Sequence, residues 1–270
     1  MTLANEDDGG CGYFDAHCHL DSLSDVLDWE ADASESGLVG FIAAGVEPSD
    51  WARLSLLAGS FEGPSFVAAG LHPWSVRERA AATRQLGVLA ELLDGNEHGP
   101  DLIGEIGLDR STPRGVEAFE LQVEVFREQL AMARQRDMPV VIHSVRSDGR
   151  LIEVLSRDGL PRRGGMVHGF SGSPEVAERL CALGLYLSIG STVVNPGATK
   201  VRAAVAAIPE TQILIETDAP HRPPKGSEPP NRFSYLPIIG REVASLRAVS
   251  PGALASATAR NALQWLGDGG

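Results

Sequence analysis

Short β-branched or apolar runs alternate with stretches of helical apolar spacing along all 270 residues, and that alternation leaves few architectures open. Strand-like runs fall near 13–18, 38–44, 65–70, 101–106, 138–143, 165–168, 185–190 and 212–217. Helix-like stretches fall near 22–36, 49–59, 75–94, 115–136, 147–158, 174–183 and 198–207, with 235–247 and 251–266 after the last strand. In 115–136 the residues Val116, Phe119, Val123, Phe126, Leu130 and Ala133 recur at three- and four-residue steps. Gly37 and Gly184 follow helical stretches, Pro48, Pro174 and Pro251 suit first turns, and Ser173 suits an N-cap. The pattern predicts an α/β chain folded as a single (β/α)8 TIM barrel, with an open doubly wound sheet as the competitor. A barrel gathers its chemistry at the carboxyl ends of strands from all round the ring, so the placement of polar residues separates the two.

Those residues converge. The first strand ends in His17 and His19, one residue apart, so that both imidazoles face one side while Cys18 faces the other. The fourth carries Glu105, the fifth ends in His143, the sixth in His168, and the eighth leads to Asp218. Any one of these histidines is more simply read as a hydrogen-bonded structural residue; the whole set at one mouth points to metal. A mixed nitrogen and oxygen set suits Zn or Mn, and a carboxylate bridge also admits Mg. Six candidate ligands exceed the needs of one tetrahedral ion, so two divalent ions are expected, roughly 3.5–4 Å apart with one carboxylate bridging.

Composition narrows the function. With 43% hydrophobic residues spread evenly, residues 13–270 are expected to form one barrel domain behind a flexible segment, 1–12. No apolar run approaches a membrane span of about 20 residues, and the acidic, glycine-containing start lacks a signal pattern. Cys11, Cys18 and Cys181 are too few and too scattered for a disulfide framework. A cytoplasmic protein, with monomer favoured, is the expectation. The net charge of −13 argues against general polyanion affinity, so phosphate recognition would need a local positive site.

The chain resembles the TatD family of metal-dependent deoxyribonucleases, within the amidohydrolase-like barrels. The resemblance rests on Phe14-Asp15-Ala16-His17-Cys18-His19-Leu20-Asp21, Gly70-Leu71-His72-Pro73, Gly104-Glu105-Ile106-Gly107-Leu108-Asp109, Pro139 to His143, His168 to Ser173, and Glu216-Thr217-Asp218-Ala219-Pro220. It implies that His17, His19, Glu105 and Asp218 hold one metal and Glu105, His143 and His168 the other, with Glu105 bridging. It also implies hydrolysis of DNA phosphodiesters, typically with Mg, on single strands or ends. Asp218, beside metal and water, is then the expected general base.

The rim is less determined. His72 either donates to a substrate phosphate or is a turn histidine tied to backbone before Pro73. Asp109 and Asp15 either orient ligand histidines or cap loops, with a buried structural hydrogen bond favoured for Asp15. His98 reads as an exposed loop residue, and His221 as either substrate-facing or an ordinary loop histidine. Arg110, Arg114, Arg146, Arg150, Arg222, Lys225 and Arg232 follow strands four, five and eight, where a barrel would place them round the mouth as a cationic rim. Of these, Arg146, Arg222 and Arg232, with His72, are the expected substrate-binding residues.

Three departures from the family border this cleft. Val145 displaces the usual post-histidine arginine to Arg146, Asn231 is followed by Arg232-Phe233 where Glu-Pro is common, and Gly169 replaces a cysteine. Phe233 and Tyr235 either stack on a base or, as preferred, pack their loop onto the barrel. Two further functions compete with the nuclease: hydrolysis of a small-molecule ester, lactone or amide on the same barrel, and a non-catalytic accessory role.

Overall fold

The computed structural model describes residues 12–95, 99–111 and 115–267. Residues 1–11 of the expected flexible segment, His98 and Arg114 lie outside these. The strands are β1 (Tyr13–Cys18), β2 (Leu38–Ala44), β3 (Ser65–Ala69), β4 (Leu102–Asp109), β5 (Val140–Val145), β6 (Gly165–Val167), β7 (Leu185–Ile189) and β8 (Ile213–Ile215). All are parallel and ordered β1 to β8 in one eight-stranded sheet. The ring closes through a bridge between Cys18 and Ala219. His19 N donates to Ala219 O at 2.8 Å and Asp218 N to His17 O at 3.0 Å across the same seam. The open doubly wound sheet is thereby excluded.

The helices are α1 (Leu20–Ser24), α2 (Trp29–Ser36), α3 (Pro48–Ala58), α4 (Arg79–Asp94), α5 (Gly115–Arg136), α6 (Asp148–Asp158), α7 (Pro174–Ala182), α8 (Thr199–Ala207), α9 (Leu236–Arg247) and α10 (Pro251–Gly267). The single helix expected over 22–36 is two, because Asp28 caps α2 by accepting from Ala31 N at 3.2 Å. Gly37 closes α2 in the left-handed region, as its position suggested. Along α5 the expected stripe is buried except Val116, which is exposed. No helix among the described residues is long and apolar enough to cross a membrane.

One apolar cluster collects Phe14, Ile42, Ala68, Leu102, Val141, Met166 and Leu214, with Trp265 and Leu266 of α10. These come from seven strands, and only the inside of the ring brings so many together. Two strands break the simple alternation above this floor. Between Asp15 and Cys18, β1 advances three residues while β2 advances two, from Phe41 to Ala43. Between Ile103 and Ile106, β4 does the same against Val140 and Ile142 of β5. An extra residue re-aims the side chains that follow it, and these two irregularities carry His17 and Glu105. Beyond the second, β4 and β5 approach so closely that a Cβ on Gly107, at φ 145°, would lie 2.1 Å from His143 O. Both strands run past their expected ends, pairing Leu108 with Ser144 and Asp109 with Val145.

Candidate metal centre

All six expected ligands meet at the carboxyl end of the ring, with Glu105 at the centre. Its Oε1 lies 2.6 Å from His143 Nδ1 and 2.6 Å from His168 Nε2. Its Oε2 lies 3.4 Å from His17 Nε2 and 3.7 Å from His19 Nε2. Asp218 Oδ1 stands 3.5 Å from His19 Nε2 and is grouped with His17 and His168 as well. Asp218 is partly exposed, and the other five are buried.

Such a nest is costly without a cation. Among the described residues, the buried atoms His17 Nδ1, His17 Nε2, His168 Nδ1 and Glu105 Oε2 have no hydrogen-bond partner. Burial opposes charge on Glu105, yet His168, His72 and His143 outweigh it and hold the carboxyl well below the usual range. His17 is driven the other way, since burial and then the nearby His168 lower its affinity for a proton. A neutral imidazole beside an ionised carboxylate is a donor set that fits a divalent metal.

Ring anchoring sorts the histidines further. His19 Nδ1 faces Ala44 O at 3.0 Å, so it carries the proton and turns the Nε2 lone pair toward Glu105. His143 Nε2 faces Asp109 Oδ2 at 3.3 Å, which frees Nδ1 in the same way. His168 Nδ1 faces Glu216 Oε1 at 3.4 Å, leaving Nε2 inward. The inward atoms of His143 and His168 are then 3.0 Å apart with lone pairs opposed, an arrangement a cation relieves. His72 differs. Trp74 N donates to its Nδ1 at 3.0 Å, so the proton sits on Nε2, 3.3 Å from Glu105 Oε1. Although His72 clusters with Glu105 and His143 by distance, its inward nitrogen is a donor and cannot ligate in that tautomer.

The carboxylates expected to orient ligands behave differently from each other. Asp109 ends β4 and holds His143 while accepting from Trp74 Nε1 at 2.6 Å and from Ser111 N and Oγ, each at 2.6 Å. Asp15 touches no ligand ring. It accepts from Thr217 N at 2.9 Å, Thr217 Oγ1 at 2.5 Å and His17 N at 3.1 Å, tying β1 to the end of β8. Burial pushes its carboxyl up to about 7 against those hydrogen bonds.

Several supporting residues had no role in the sequence reading. Glu216, buried beside His168, also accepts from Gly169 N at 2.6 Å, with Gly169 in the left-handed region at φ 56°. Gln122 and Gln129, two turns apart on α5, reach the His72 loop: Gln122 Nε2 donates to Pro73 O at 3.3 Å, and Gln129 Oε1 accepts from Leu71 N at 2.7 Å. Trp74 itself was missed. An aromatic directly after His72-Pro73 was the available signal, and a buried glutamine on an amphipathic helix the other.

Above the ligands lies a cleft of about 310 Å³ lined in part by His19, His72, Trp74, His143, His221 and Arg222. A second cavity of about 320 Å³ adjoins it through Ser144, Val145, Gly169 and Arg222, and adds Arg146 and Ser171. His221 is exposed, with its ring 5.3 Å from that of His19. Arg146 and Arg222 are exposed, carry no ion pair among the described residues, and take left-handed backbone at φ 53° and 45°. The displaced Arg146 therefore still reaches the mouth.

Other rim residues do not. Arg150 ion-pairs with Glu153 at 2.8 Å and Glu120 at 3.0 Å, and Arg110 lies over the Phe119 ring at 4.1 Å, so neither joins a cationic rim. Arg232 lies over Tyr235 at 5.4 Å and lines neither cavity. Phe233 is fully buried against Phe41, and Tyr235 Oη donates to Glu228 O at 2.9 Å, so both aromatics pack the loop as preferred. Asn231 clasps that loop, donating to Thr217 O at 2.6 Å and His221 O at 2.7 Å.

A closed parallel barrel with buried histidines and carboxylates at its carboxyl end defines a metal-dependent hydrolase. Comparison with known proteins specifies which kind. Residues 14–267 match the family described as TatD related DNase, and the chain belongs to that family. It is 35% identical to an uncharacterized metal-dependent hydrolase, YjjV, of Escherichia coli K12, over 93% of this chain and 96% of that one. It is 32% identical to a 3'-5' ssDNA/RNA exonuclease, TatD, of Erwinia billingiae, over 82% and 85% of the two chains. The crystal structure of the Escherichia coli YjjV protein superimposes with a TM-score of 0.83, covering 95% of this chain and 98% of that one at 32% identity. The chain is thus a hydrolytic enzyme of the TatD type acting on ester bonds.

Proposed function

We propose that this enzyme hydrolyses phosphodiester bonds in DNA, at single strands or ends, using two divalent ions held by His17, His19, Glu105 and Asp218 on one side and Glu105, His143 and His168 on the other. The observation that carries this reading is the division of labour among the rings. His19 and His143 are hydrogen-bonded to acceptors and turn lone pairs inward, His168 has its outer nitrogen 3.4 Å from the Glu216 carboxylate, and His72 is anchored by a donor and turns an N–H inward. Lone pairs suit a metal, and an N–H suits a phosphate oxygen.

Bound ions of the Mg, Mn or Zn kind would supply charge neutralisation at the phosphoryl group and a water of lowered pKa. Asp218 then takes the proton of the attacking water. Burial works to raise its carboxyl, but when the imidazoles are protonated the His19 hydrogen bond and the charges of His19, His168 and His17 hold it at about 2, and cations bound in place of those protons would likewise keep it ionised at neutral pH. His72 Nε2–H stabilises a non-bridging oxygen as charge builds there. Asp109 and Glu216 hold the rings of His143 and His168 in place. Arg146 and Arg222 hold the adjoining phosphate in the second cavity, which gives an acidic protein the local positive site that its net charge of −13 otherwise denies it. The neighbouring Asp148 is engaged there by the Ser144 hydroxyl at 2.7 Å.

The test is a substrate panel with Mg, Mn or Zn: labelled single-stranded DNA, bis-p-nitrophenyl phosphate, and a set of lactones and amides. Nucleotide release from the DNA is expected, falling steeply with salt because phosphate contacts release counterions. Turnover of lactones or amides alone would overturn the nuclease reading, and absence of metal and turnover would indicate an accessory protein.

A further inference from the structure

We infer that Trp74 is a preformed stacking platform for a nucleobase, set beside the reacting phosphate, and that it makes the enzyme select strands that carry bases. This rests on the phosphodiesterase reading above and adds a binding site to it. The four tryptophans divide sharply: Trp29, Trp51 and Trp265 are 5%, 4% and 6% exposed, whereas Trp74 is 47% exposed. An indole left open is unusual in a core-forming residue, and this one lines the metal cleft.

Its exposure does not come from looseness. The indole N–H is tied to Asp109 Oδ2 at 2.6 Å, and the backbone N–H to His72 Nδ1 at 3.0 Å. Gln122 and Gln129 hold the residues just before it, at Pro73 and Leu71. The ring meets His72 at 72° with centroids 4.7 Å apart and His143 at 68° with centroids 6.2 Å apart, so neither histidine stacks flat against it. A ring fixed in orientation and half exposed loses little freedom when a flat partner stacks on it.

Position then selects the partner. Trp74 stands next to His72, the donor assigned to the phosphate oxygen, and shares Asp109 with the ligand His143. The arginine cavity opens elsewhere in the cleft, past Ser144 and Val145. A ligand spanning these features has a planar ring, a scissile phosphate and a further anionic phosphate in succession, which is the order along a polynucleotide. Stacking is indifferent to base identity, so the platform predicts a need for bases without a preferred sequence.

The test compares hydrolysis of a thymidine decamer with a decamer of abasic tetrahydrofuran units, using wild type, Trp74→Phe and Trp74→Ala. Wild type should favour the base-bearing strand in kcat/KM by roughly tenfold or more. Trp74→Ala should erase the preference, and Trp74→Phe, which keeps a ring but loses the N–H to Asp109, should retain most of it. Equal cleavage of the two strands by wild type, or an undiminished preference in Trp74→Ala, would overturn the platform while leaving the phosphodiesterase reading intact. A second readout needs no turnover: dAMP should quench tryptophan emission in wild type and not in Trp74→Phe, with deoxyribose 5-phosphate silent in both. Quenching without hydrolysis of any strand would keep the platform and overturn the phosphodiesterase reading, and a silent dAMP titration would overturn the platform.

Discussion

At the floor of the barrel, Phe14, Ile42, Ala68, Leu102, Val141, Met166 and Leu214 fill the ring with apolar side chains, closed below by Trp265 and Leu266. A few residues higher on the same strands, imidazoles and carboxylates face one another, and His17 Nε2 and Glu105 Oε2 are buried without hydrogen-bond partners among the described residues. Among the described residues, three of the five non-glycine residues in left-handed backbone, Arg146, Asp218 and Arg222, also lie at this upper end. The floor follows the rules of burial, and the mouth breaks them. The difference teaches that stability is built at one end and chemistry at the other, so changes at the two ends should separate folding from turnover.

The largest effect is expected at the mouth. Asp218→Asn should lower kcat by roughly 10²–10⁴-fold, as loss of a general base does, with a cooperative unfolding transition retained. Near-normal turnover of the metal-loaded variant would remove Asp218 from the proton-transfer role. The floor should answer in the opposite way. Leu214→Ala removes a fully enclosed side chain and should cost about 2–5 kcal/mol in denaturant unfolding, with activity per folded molecule close to wild type. Comparable losses of kcat in both variants would mean that the two ends are not separable.

Smaller effects sharpen the boundary. Asp109 is burdened by burial, but hydrogen bonds from His143, Ser111 and Trp74 hold its carboxyl below the usual range. Asp109→Asn weakens the anchor of His143 and should reduce metal affinity about 10–100-fold in a competition titration without unfolding the chain. Away from both ends, Asp158 at the close of α6 is held at about 2, first by the Arg127 hydrogen bond and then by that of Arg157. A carboxyl lowered on folding stabilises above its ordinary pKa near 3.8 and loses that contribution as pH falls toward 2. Asp158→Asn should therefore cost under about 1 kcal/mol at pH 7, and the gap to wild type should close between about pH 4 and 2.

The two ends were also unequally legible. The floor is built from short β-branched or apolar runs set between helical stretches, and those runs sufficed to place β1 to β8. Side-chain types at the strand ends sufficed to gather His17, His19, Glu105, His143, His168 and Asp218. What escaped depends on the third dimension. The extra residues in β1 before Cys18 and in β4 before Ile106 change no residue type, only register against a neighbouring strand. The break between α1 and α2 rests on one cap at Asp28, inside a stretch of continuous helical spacing. Trp74, Gln122 and Glu216 act through hydrogen bonds to partners distant in the chain, or across a strand end, for which spacing carries no signal. Arg150 shows the converse, since position after β5 suggested the rim while Glu120 and Glu153 hold it on the outer surface.

The most direct test of the mouth as a two-ion centre is the metal content of the chain after equilibration with Mn and removal of free ion. The account predicts two ions per chain in the wild type and loss of both in Glu105→Gln, because Glu105 alone stands between the two ligand sets. A wild-type chain that stays empty, or a Glu105→Gln chain that still holds two ions, would contradict it.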